Sequence, residues 1–464
     1  MFYLSNKGVK KPVINFIGGS STDVTGSCHQ IKFKNYNILL EAGLIQTNNI
    51  VIDYKANKDL VKKIKPREVQ YIICSHLHAD HIGLLPPLYS KGCQAHIYIP
   101  EGSIPILRIM LEDSVKIMQQ DADKLARKHG IKASPLATIQ DIEKVLDRCI
   151  EVCYNTPIQI AEGITFTYYP AGHIIHSAQI YLELKEGYIT KRVGYTGDIG
   201  SLDTHVSVEA RQDLPFCDVL IGECTYSQEG RNYSIKKDRW FDRQMMVSAI
   251  TDYNKILIPV FSLQRTEDIL HELYHLDDEN GTIPTVYLDA PLASKIFNAW
   301  DGDIDYLKQW GKLKIINDYT QSQSLQLSNE HCVIVSSSGM LTAGRAVSHL
   351  KTILPNPHNC ILFCGYSGDN TLATEIKQGI KEIKLDKDLV VNKAQIYCLN
   401  TFSSHANYSQ LTDYYIGLRF NKLCLVHSNF ADKAKYADKL QQELINKGDC
   451  GKVICVNEDS RIYI

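Results

Sequence analysis

No apolar run in this chain approaches the ~18 residues that a bilayer-crossing helix needs, so no membrane span is expected. The opening Met1-Phe2-Tyr3-Leu4-Ser5-Asn6-Lys7 lacks the apolar core of a secretion signal, and a cytoplasmic protein is the expectation. Neither sign of charge is in excess: 50 Lys and Arg face 52 Asp and Glu, a formal net charge of -2. That excludes binding of a polyanion through global charge and leaves only a local basic surface. Lys62, Lys63, Lys65 and Arg67, and the run Lys236-Lys237-Asp238-Arg239, are the candidates, although each reads first as a solvated face. Internal repeats, low-complexity tracts and flexible linkers are missing, which excludes a solenoid and domains strung on tethers. Paired Cys-x-x-Cys sets are missing too. The fourteen cysteines are scattered, several in apolar runs (Cys74, Cys332, Cys364, Cys424), and the four-residue pairs Cys149/Cys153 and Cys360/Cys364 have no second pair. Small buried thiols fit this better than a disulfide framework or a zinc ribbon.

What remains is an ordinary globular composition, 44% hydrophobic and 22% charged, over 464 residues that need two or three cores. Val13 to Ile17 reads as a strand stopped by Gly18-Gly19. Cys28 to Phe33 and Tyr36 to Leu40 extend it into a meander ending at Glu41-Ala42-Gly43, in which His29 is a strand side chain. Ser103-Ile104-Pro105 starts a helix carrying Leu107, Leu111, Val115, Met118, Ala122 and Leu125 on one face. It ends near His129-Gly130, and a second helix is predicted from Ile139 to Cys149. Predicted strands at 164–169, 179–184, 192–195 and 219–221 lead into polar groups. From about Trp240 strands and helices alternate, the pattern of a parallel α/β domain. Strands at 394–399 and 422–426 then carry His-bearing loops before a last helix over 431–447. The second domain therefore reads as inserted into the first.

The densest chemistry lies in Cys74-Ser75-His76-Leu77-His78-Ala79-Asp80-His81-Ile82-Gly83, directly after the apolar run Val69 to Ile73. A loop at the end of a buried strand lets His76, His78, Asp80 and His81 converge on one point. Cations of the zinc class take imidazole nitrogen and carboxylate oxygen readily. An accidentally His-rich polar loop is the competing reading and accounts poorly for four ligands in six positions. His173, in Ala171-Gly172-His173, and Asp198, in Thr196-Gly197-Asp198, stand at the ends of later strands. Alone they would read as a surface His and a turn residue. Beside the first cluster they offer a further ligand and a carboxylate able to bridge two cations about 3.5–4 Å apart.

With these residues in view the chain resembles the metallo-β-lactamase superfamily, whose signature is HxHxDH. Glu223 in Gly222-Glu223-Cys224-Thr225-Tyr226, His405 in Ser403-Ser404-His405-Ala406-Asn407 and His427 in Leu425-Val426-His427-Ser428 narrow the resemblance to the β-CASP branch. Its nucleases are typified by RNase J and the pre-mRNA 3′-end cleavage endonuclease. Val333 to Met340 and Phe363-Cys364-Gly365-Tyr366 resemble two landmarks of the inserted domain, and the chain looks like a compact prokaryotic member. The implied fold is a metallo-β-lactamase αββα sandwich, residues 1–225 and 395–464, with a β-CASP α/β domain inserted at 226–394.

The resemblance also implies two Zn2+ per chain. His76, His78 and His173 would hold one, Asp80, His81 and His427 the other, with Asp198 bridging. A hydroxide held by the metal pair would attack phosphorus, and His405, oriented by Glu223, would protonate the departing oxygen. Asp80, Asp198, Glu223 and His405 make up the implied catalytic set. The implied substrate is single-stranded RNA, with no membrane partner; a homodimer is compatible. Ser336, Ser337, Ser338 and Gly339 follow a strand and precede a helix, where backbone N–H groups can hold phosphate, though a plain turn fits equally well.

Three residues depart from the branch pattern: Glu41 where Asp is usual, Asn407 for the Asp of the second motif, and His176 where Gly often stands. A DNA nuclease of the same branch is one rival, disfavoured because its members typically lack His at the third motif. A catalytically silent scaffold subunit of an RNA-processing complex is another, disfavoured because such subunits lose ligands and all seven are present.

Overall fold

The computed structural model describes residues 11–19, 24–47, 49–201, 209–229, 235–365, 367–368, 371–385 and 387–464. The first seven residues and Tyr366 lie outside these. The described residues form two compact units, one within Met1–Leu202, Val208–Arg231 and His405–Ile464 and the other within Asn232–Ser404.

The first unit is a sandwich of two seven-stranded sheets. One runs Arg461–Tyr463, Val13–Gly18, Cys28–Phe33, Tyr36–Leu40, Tyr71–Ile73, His96–Pro100, Cys149–Val152. The other runs Lys452–Cys455, Phe420–Val426, Cys217–Glu223, Ile189–Tyr195, Ala178–Glu186, Ile164–Pro170, Ile158–Ala161. Inward residues of both sheets, among them Phe16, Ile31, Leu40, Phe166, Ile180, Leu182, Val219, Ile221, Cys424 and Val426, make one buried core. The alternate positions of the second sheet, Tyr181, Leu220, Leu423 and Leu425, face outward into a second core. There they meet Leu411, Tyr414 and Tyr415 of helix Tyr408–Gly417 and Tyr436, Leu440 and Leu444 of helix Phe430–Asn446. A sheet covered on both faces must be apolar at every position, which is why these strands read as unbroken apolar runs. Each such side chain contributes about 1.5–3 kcal/mol by leaving water.

Helix Ile104–His129 begins with Pro105 in its first turn, where no N–H is missed, and buries Ile106, Leu107, Met110, Leu111, Val115 and Leu125. Arg127, Lys128 and His129 complement its C-terminal dipole, and Gly130 stops it in the left-handed conformation (φ 64°). The next helix ends earlier than its spacing predicts. It spans Ile139–Leu146, and Cys149 instead opens the strand Cys149–Val152. Ile142, Val145 and Cys149 keep helical spacing, but Cys149–Val152 pairs with His96–Pro100 and the sheet edge takes it.

The second unit holds a six-stranded parallel sheet in the order Leu313–Ile315, Thr285–Asp289, Cys332–Ser336, Lys255–Pro259, Asn359–Phe363, Gln395–Cys398. Strand Gln395–Cys398 thus pairs inside this unit. Helices at Arg265–Asn280, Pro291–Ala299, Arg345–Ile353 and Leu372–Lys377 follow individual strands, and Ala346, Leu350 and Ile353 pack onto the sheet. Buried Asp289, at a strand end, accepts hydrogen bonds from Ser322 Oγ (2.6 Å), Arg345 (2.5 Å) and His349 Nε2 (2.7 Å). Among the described residues no helix is long and apolar enough to cross a membrane.

Within the first unit, strand Phe420–Val426 is interior, with Cys217–Glu223 on one side and Lys452–Cys455 on the other. A chain cut after Asp388 should therefore leave the first sandwich without a cooperative thermal transition. A truncated protein that melts cooperatively and binds its full metal complement would show that the terminal segment does not complete this sheet.

Candidate metal centre

Strand Tyr71–Ile73 is only three residues long and ends where the chain must turn. Cys74 and Ser75 are tied down first. Tyr168 Oη donates to Cys74 O at 2.8 Å, and Ser75 N–H donates to Glu41 Oε1 at 2.9 Å. The next turn is a short helix, Ala79–Ile82, that carries Asp80 and His81 and follows His78. Backbone bonds from Ser27 N–H to Asp80 O (2.9 Å) and Ala42 N–H to His81 O (2.8 Å) fix it. Four candidate ligands in six positions thus divide between a loop (His76, His78) and a helical turn (Asp80, His81).

Three later strand ends reach the same place. After Ile164–Pro170 the chain turns through His173, where Ser177 Oγ accepts from the N–H groups of His173 (3.0 Å) and Ile174 (3.2 Å). His176 takes φ 56° in the turn closed by Ser177 N–H on Ile174 O. That is a conformation glycine favours, which accounts physically for the Gly often found there. Asp198 follows Ile189–Tyr195 through Gly197. Gly197 has φ 55°, and a Cβ there would lie 2.7 Å from Ser75 Oγ, so the position admits no side chain. His427 follows Phe420–Val426 with φ 59°.

The side chains close on Asp198 Oδ2. It lies 3.6 Å from His76 Nε2, 3.5 Å from His81 Nε2 and 3.6 Å from His173 Nε2. Asp198 Oδ1 lies 3.7 Å from His427 Nδ1, and His173 Nε2 is 3.2 Å from His78 Nδ1. Asp80 Oδ2 lies 3.4 Å from His427 Nε2 and 3.7 Å from His81 Nε2. Two sets of ligand atoms result, His76, His78, His173 and Asp198 in one and Asp80, His81 and His427 in the other, each within 4.8 Å of one another. A third set, Glu41 with His76 and His81, overlaps them. Ligands about 2.0–2.1 Å from a tetrahedral ion sit roughly 3.3 Å apart, close to these separations.

Burial shows what the cluster wants. His76, His81 and Asp198 are at most 2% exposed, yet His76 Nε2, His81 Nε2 and Asp198 Oδ1 have no hydrogen-bond partner among the described residues. Buried polar atoms left so are costly unless something pairs with them, and convergent imidazole and carboxylate lone pairs suit a cation of the zinc class. The residues fit a metal. Burial pushes His76 well below the usual imidazole range and takes His78 down to about 4, so both are neutral and ready to ligate. At His81 burial opposes the charge, but Asp198 and Asp80 outweigh it and hold the pKa well above 6.5. His427 is raised against burial by Asp198 and Asp80 as well. Burial also opposes ionisation of Asp198, and the imidazoles of His427, His81 and His76 reverse this and hold it well below the usual carboxylate range.

Glu223 and His405 stand beside this cluster. Glu223 Oε1 accepts from Ile199 N–H at 2.8 Å and faces His405 Nδ1 at 3.3 Å; Oε2 accepts from Thr225 N–H at 2.9 Å. The His405 ring centroid is 4.4 Å from that of His173. Asn407 caps helix Tyr408–Gly417, accepting from Gln410 N–H, a role the more usual Asp would also perform. Glu41 Oε1 lies 3.6 Å from His81 Nδ1, and Glu41 adopts φ 67°. His29 is a buried strand residue between Phe16 and Tyr195. Ser336, Ser337, Ser338 and Gly339 belong to the second unit. There Ser336 Oγ donates to Asp289 O at 2.6 Å and Ser338 N–H to Ala343 O at 3.3 Å, so part of that loop is engaged internally. Sequence reasoning did not find Ser75 or Thr225, whose only signal is that each stands one or two residues from a singled-out His or Glu.

A sheet sandwich with buried imidazoles and carboxylates converging at its strand ends defines a metallo-hydrolase. Three domain profiles match in chain order: the metallo-beta-lactamase superfamily domain over residues 30–184, the Beta-Casp domain over 266–376 and the Zn-dependent metallo-hydrolase RNA specificity domain over 390–448. The chain belongs to the metallo-β-lactamase superfamily, in its β-CASP branch. Transcription termination factor FttA of Methanocaldococcus jannaschii is 28% identical over 92% of this chain and 69% of its own length. Ribonuclease TTHA0252 of Thermus thermophilus is 25% identical over 86% of this chain and 90% of its own. An RNase J-like protein of Methanocaldococcus jannaschii is 27% identical over 87% and 89%. A crystal structure of a protein of unknown function from Enterococcus faecalis V583 shares the fold, with a TM-score of 0.56 at 13% identity over 98% of this chain and 100% of that one.

Although burial opposes it, Asp198 and Asp80 raise the pKa of both His81 and His427 and so favour a protonated ring until a cation displaces the proton. Metal affinity should then rise with pH. Adding a divalent transition-metal ion to metal-free protein at pH 7 in a lightly buffered solution should release protons. Binding without proton release would mean that these two rings are already neutral.

Proposed function

We propose that the protein is a zinc-dependent ribonuclease that hydrolyses phosphodiester bonds of single-stranded RNA. The observation that carries this reading is the Glu223–His405 pair, set against the metal-ligating cluster, with His405 4.4 Å from the His173 ring. A ligand cluster alone serves many hydrolyses. An imidazole beside it, backed by a carboxylate, suits a leaving group that needs a proton. The match of residues 390–448 to an RNA specificity domain and the similarity to a ribonuclease and an RNase J-like protein favour RNA as the substrate.

In this reading His76, His78 and His173 would hold one Zn2+ and Asp80, His81 and His427 a second, with Asp198 placed to serve both. Zinc supplies charge neutralisation at phosphate oxygens and a nucleophile from water at neutral pH. The chain's own groups do the rest. Glu223, fixed by the N–H groups of Ile199 and Thr225, holds the Nδ1 side of His405 and steers the other edge of the ring toward substrate. His405 then gives its proton to the departing ribose oxygen, otherwise a poor leaving group. Ser336, Ser337, Ser338 and Gly339 are the candidates for holding phosphate, with the Ser338 N–H already bonded to Ala343 O. All fourteen cysteines are free, in keeping with action in a reducing cytoplasm.

His78→Ala should lower metal content and abolish cleavage together. His405→Ala should bind metal and RNA nearly as the wild type does but cleave about 10²–10⁴-fold more slowly. That defect should shrink on a nitrophenyl phosphodiester, whose leaving group needs no proton. Equal losses on both substrates would remove the acid role from His405. Full activity after exhaustive chelation would end the metal reading. End-labelled and circular RNA assayed side by side would separate endonuclease from exonuclease action.

A further inference from the structure

Thr225 is half-buried, two residues past Glu223, and neither a ligand nor an acid. It nonetheless contacts both parts of the centre. Its peptide N–H donates to Glu223 Oε2 at 2.9 Å, and its hydroxyl oxygen is 2.8 Å from His427 Nδ1. The same hydroxyl reaches the carbonyl oxygen of His427 at 3.4 Å. A hydroxyl has one proton to give and lone pairs to accept with, while a carbonyl can only accept. With the hydroxyl proton directed at His427 O, the 2.8 Å contact is an N–H···O bond donated by the ring. Nδ1 then keeps its proton, and Nε2, 3.4 Å from Asp80 Oδ2, is the nitrogen whose proton a cation would displace. The left-handed φ of 59° at His427 accompanies this double contact of one residue's ring and carbonyl with one hydroxyl.

The same device occurs at a second ligand of the cluster. Ser75 N–H donates to Glu41 Oε1 at 2.9 Å, and Ser75 Oγ lies 2.9 Å from His76 Nδ1. His76 Nε2 is correspondingly the nitrogen turned toward Asp198 Oδ2, at 3.6 Å. In each case one hydroxyl residue fixes a buried carboxylate with its N–H and an imidazole with its oxygen. A hydroxyl that merely satisfied a stray ring nitrogen would have no reason to recur with the same two kinds of partner.

We propose that Thr225 is a positioning residue that fixes His427 as an Nε2 metal ligand while holding Glu223 in line with His405, coupling the occupancy of one metal position to the alignment of the general acid. The inference rests on the reading of His427 as a ligand and of Glu223 as the residue that orients His405.

Intact protein and its Thr225→Val, Thr225→Ser, Ser75→Ala and His427→Ala variants should be titrated with Zn2+ against a chromophoric chelator, and their Co2+ absorption spectra recorded. Thr225→Val keeps the shape and loses the hydroxyl. It should weaken one of the two ions about 10–100-fold and alter the cobalt spectrum, as removal of a ligand's hydrogen-bond partner typically does. Thr225→Ser should restore most of both. Ser75→Ala should weaken an ion while leaving His427 unaffected. On RNA, Thr225→Val should lower kcat with little change in KM. In the zinc-loaded wild type, ¹⁵N spectra of the histidine rings should show His427 protonated at Nδ1, a readout that requires no variant to fold. Wild-type zinc affinity and cobalt spectrum in Thr225→Val, or a His427 ring protonated at Nε2, would overturn the proposal. If His427→Ala itself retains both ions, the ligand reading of His427 fails and takes this inference with it.

Discussion

A carboxylate that is 2% exposed cannot stay ionised among apolar strands unless positive or polarisable groups surround it, and Asp198 is such a group. Three imidazole Nε2 atoms lie 3.5–3.6 Å from its Oδ2. They come from different elements, so the demand of one buried charge fixes several strand ends at once. His76 and His81 follow strand Tyr71–Ile73, His173 follows Ile164–Pro170, and His427, facing the other oxygen, follows Phe420–Val426. The closely packed core beneath them leaves these ends little freedom to shift. The sandwich is therefore less a container for the centre than the means of aiming it.

The partners behind the ligands show the same logic. Ser75, Thr225, Ser177 and the N–H of Ile199 each remove a degree of freedom from a residue in the cluster without entering it. Backbone strain accompanies them. Glu41, His176 and His427 take left-handed φ values of 67°, 56° and 59°, a conformation that residues other than Gly and Asn adopt reluctantly. Such strain persists where the surroundings over-determine the backbone, as the bonds around these three residues do.

The chemistry of the site and the two-part α/β architecture were legible in the sequence because both depend on local pattern. HxHxDH lies within six residues, and the apolar strand runs lead into polar turns. Resemblance then joined residues as distant as His76 and His427, which no periodicity could link. What stayed hidden depends on pairing. Cys149 continues the spacing of Ile142 and Val145, yet it opens a strand because His96–Pro100 offers an edge. The short strands Lys452–Cys455 and Arg461–Tyr463 carry weak periodic signals and are held by pairing with Phe420–Val426 and Val13–Gly18. Thr225 was hidden for a related reason. Its two contacts depend on the register that brings Cys217–Glu223 alongside Phe420–Val426, with Glu223 opposite Val426.

That register has a consequence for the life of the chain on the ribosome. Neighbouring strands of the second sheet, Cys217–Glu223 and Phe420–Val426, are separated by the whole inserted unit, so the sheet cannot close until nearly all of the polypeptide has been made. Non-local pairing of this kind delays folding, because the entropy of bringing distant segments together is lost before any contact rewards it. His427 and His405 both lie in the segment that arrives last. A nascent chain that has exposed His76, His78, Asp80 and His81 has yet to make His405 and His427, so the cluster of imidazoles and carboxylates is completed only near the end of synthesis.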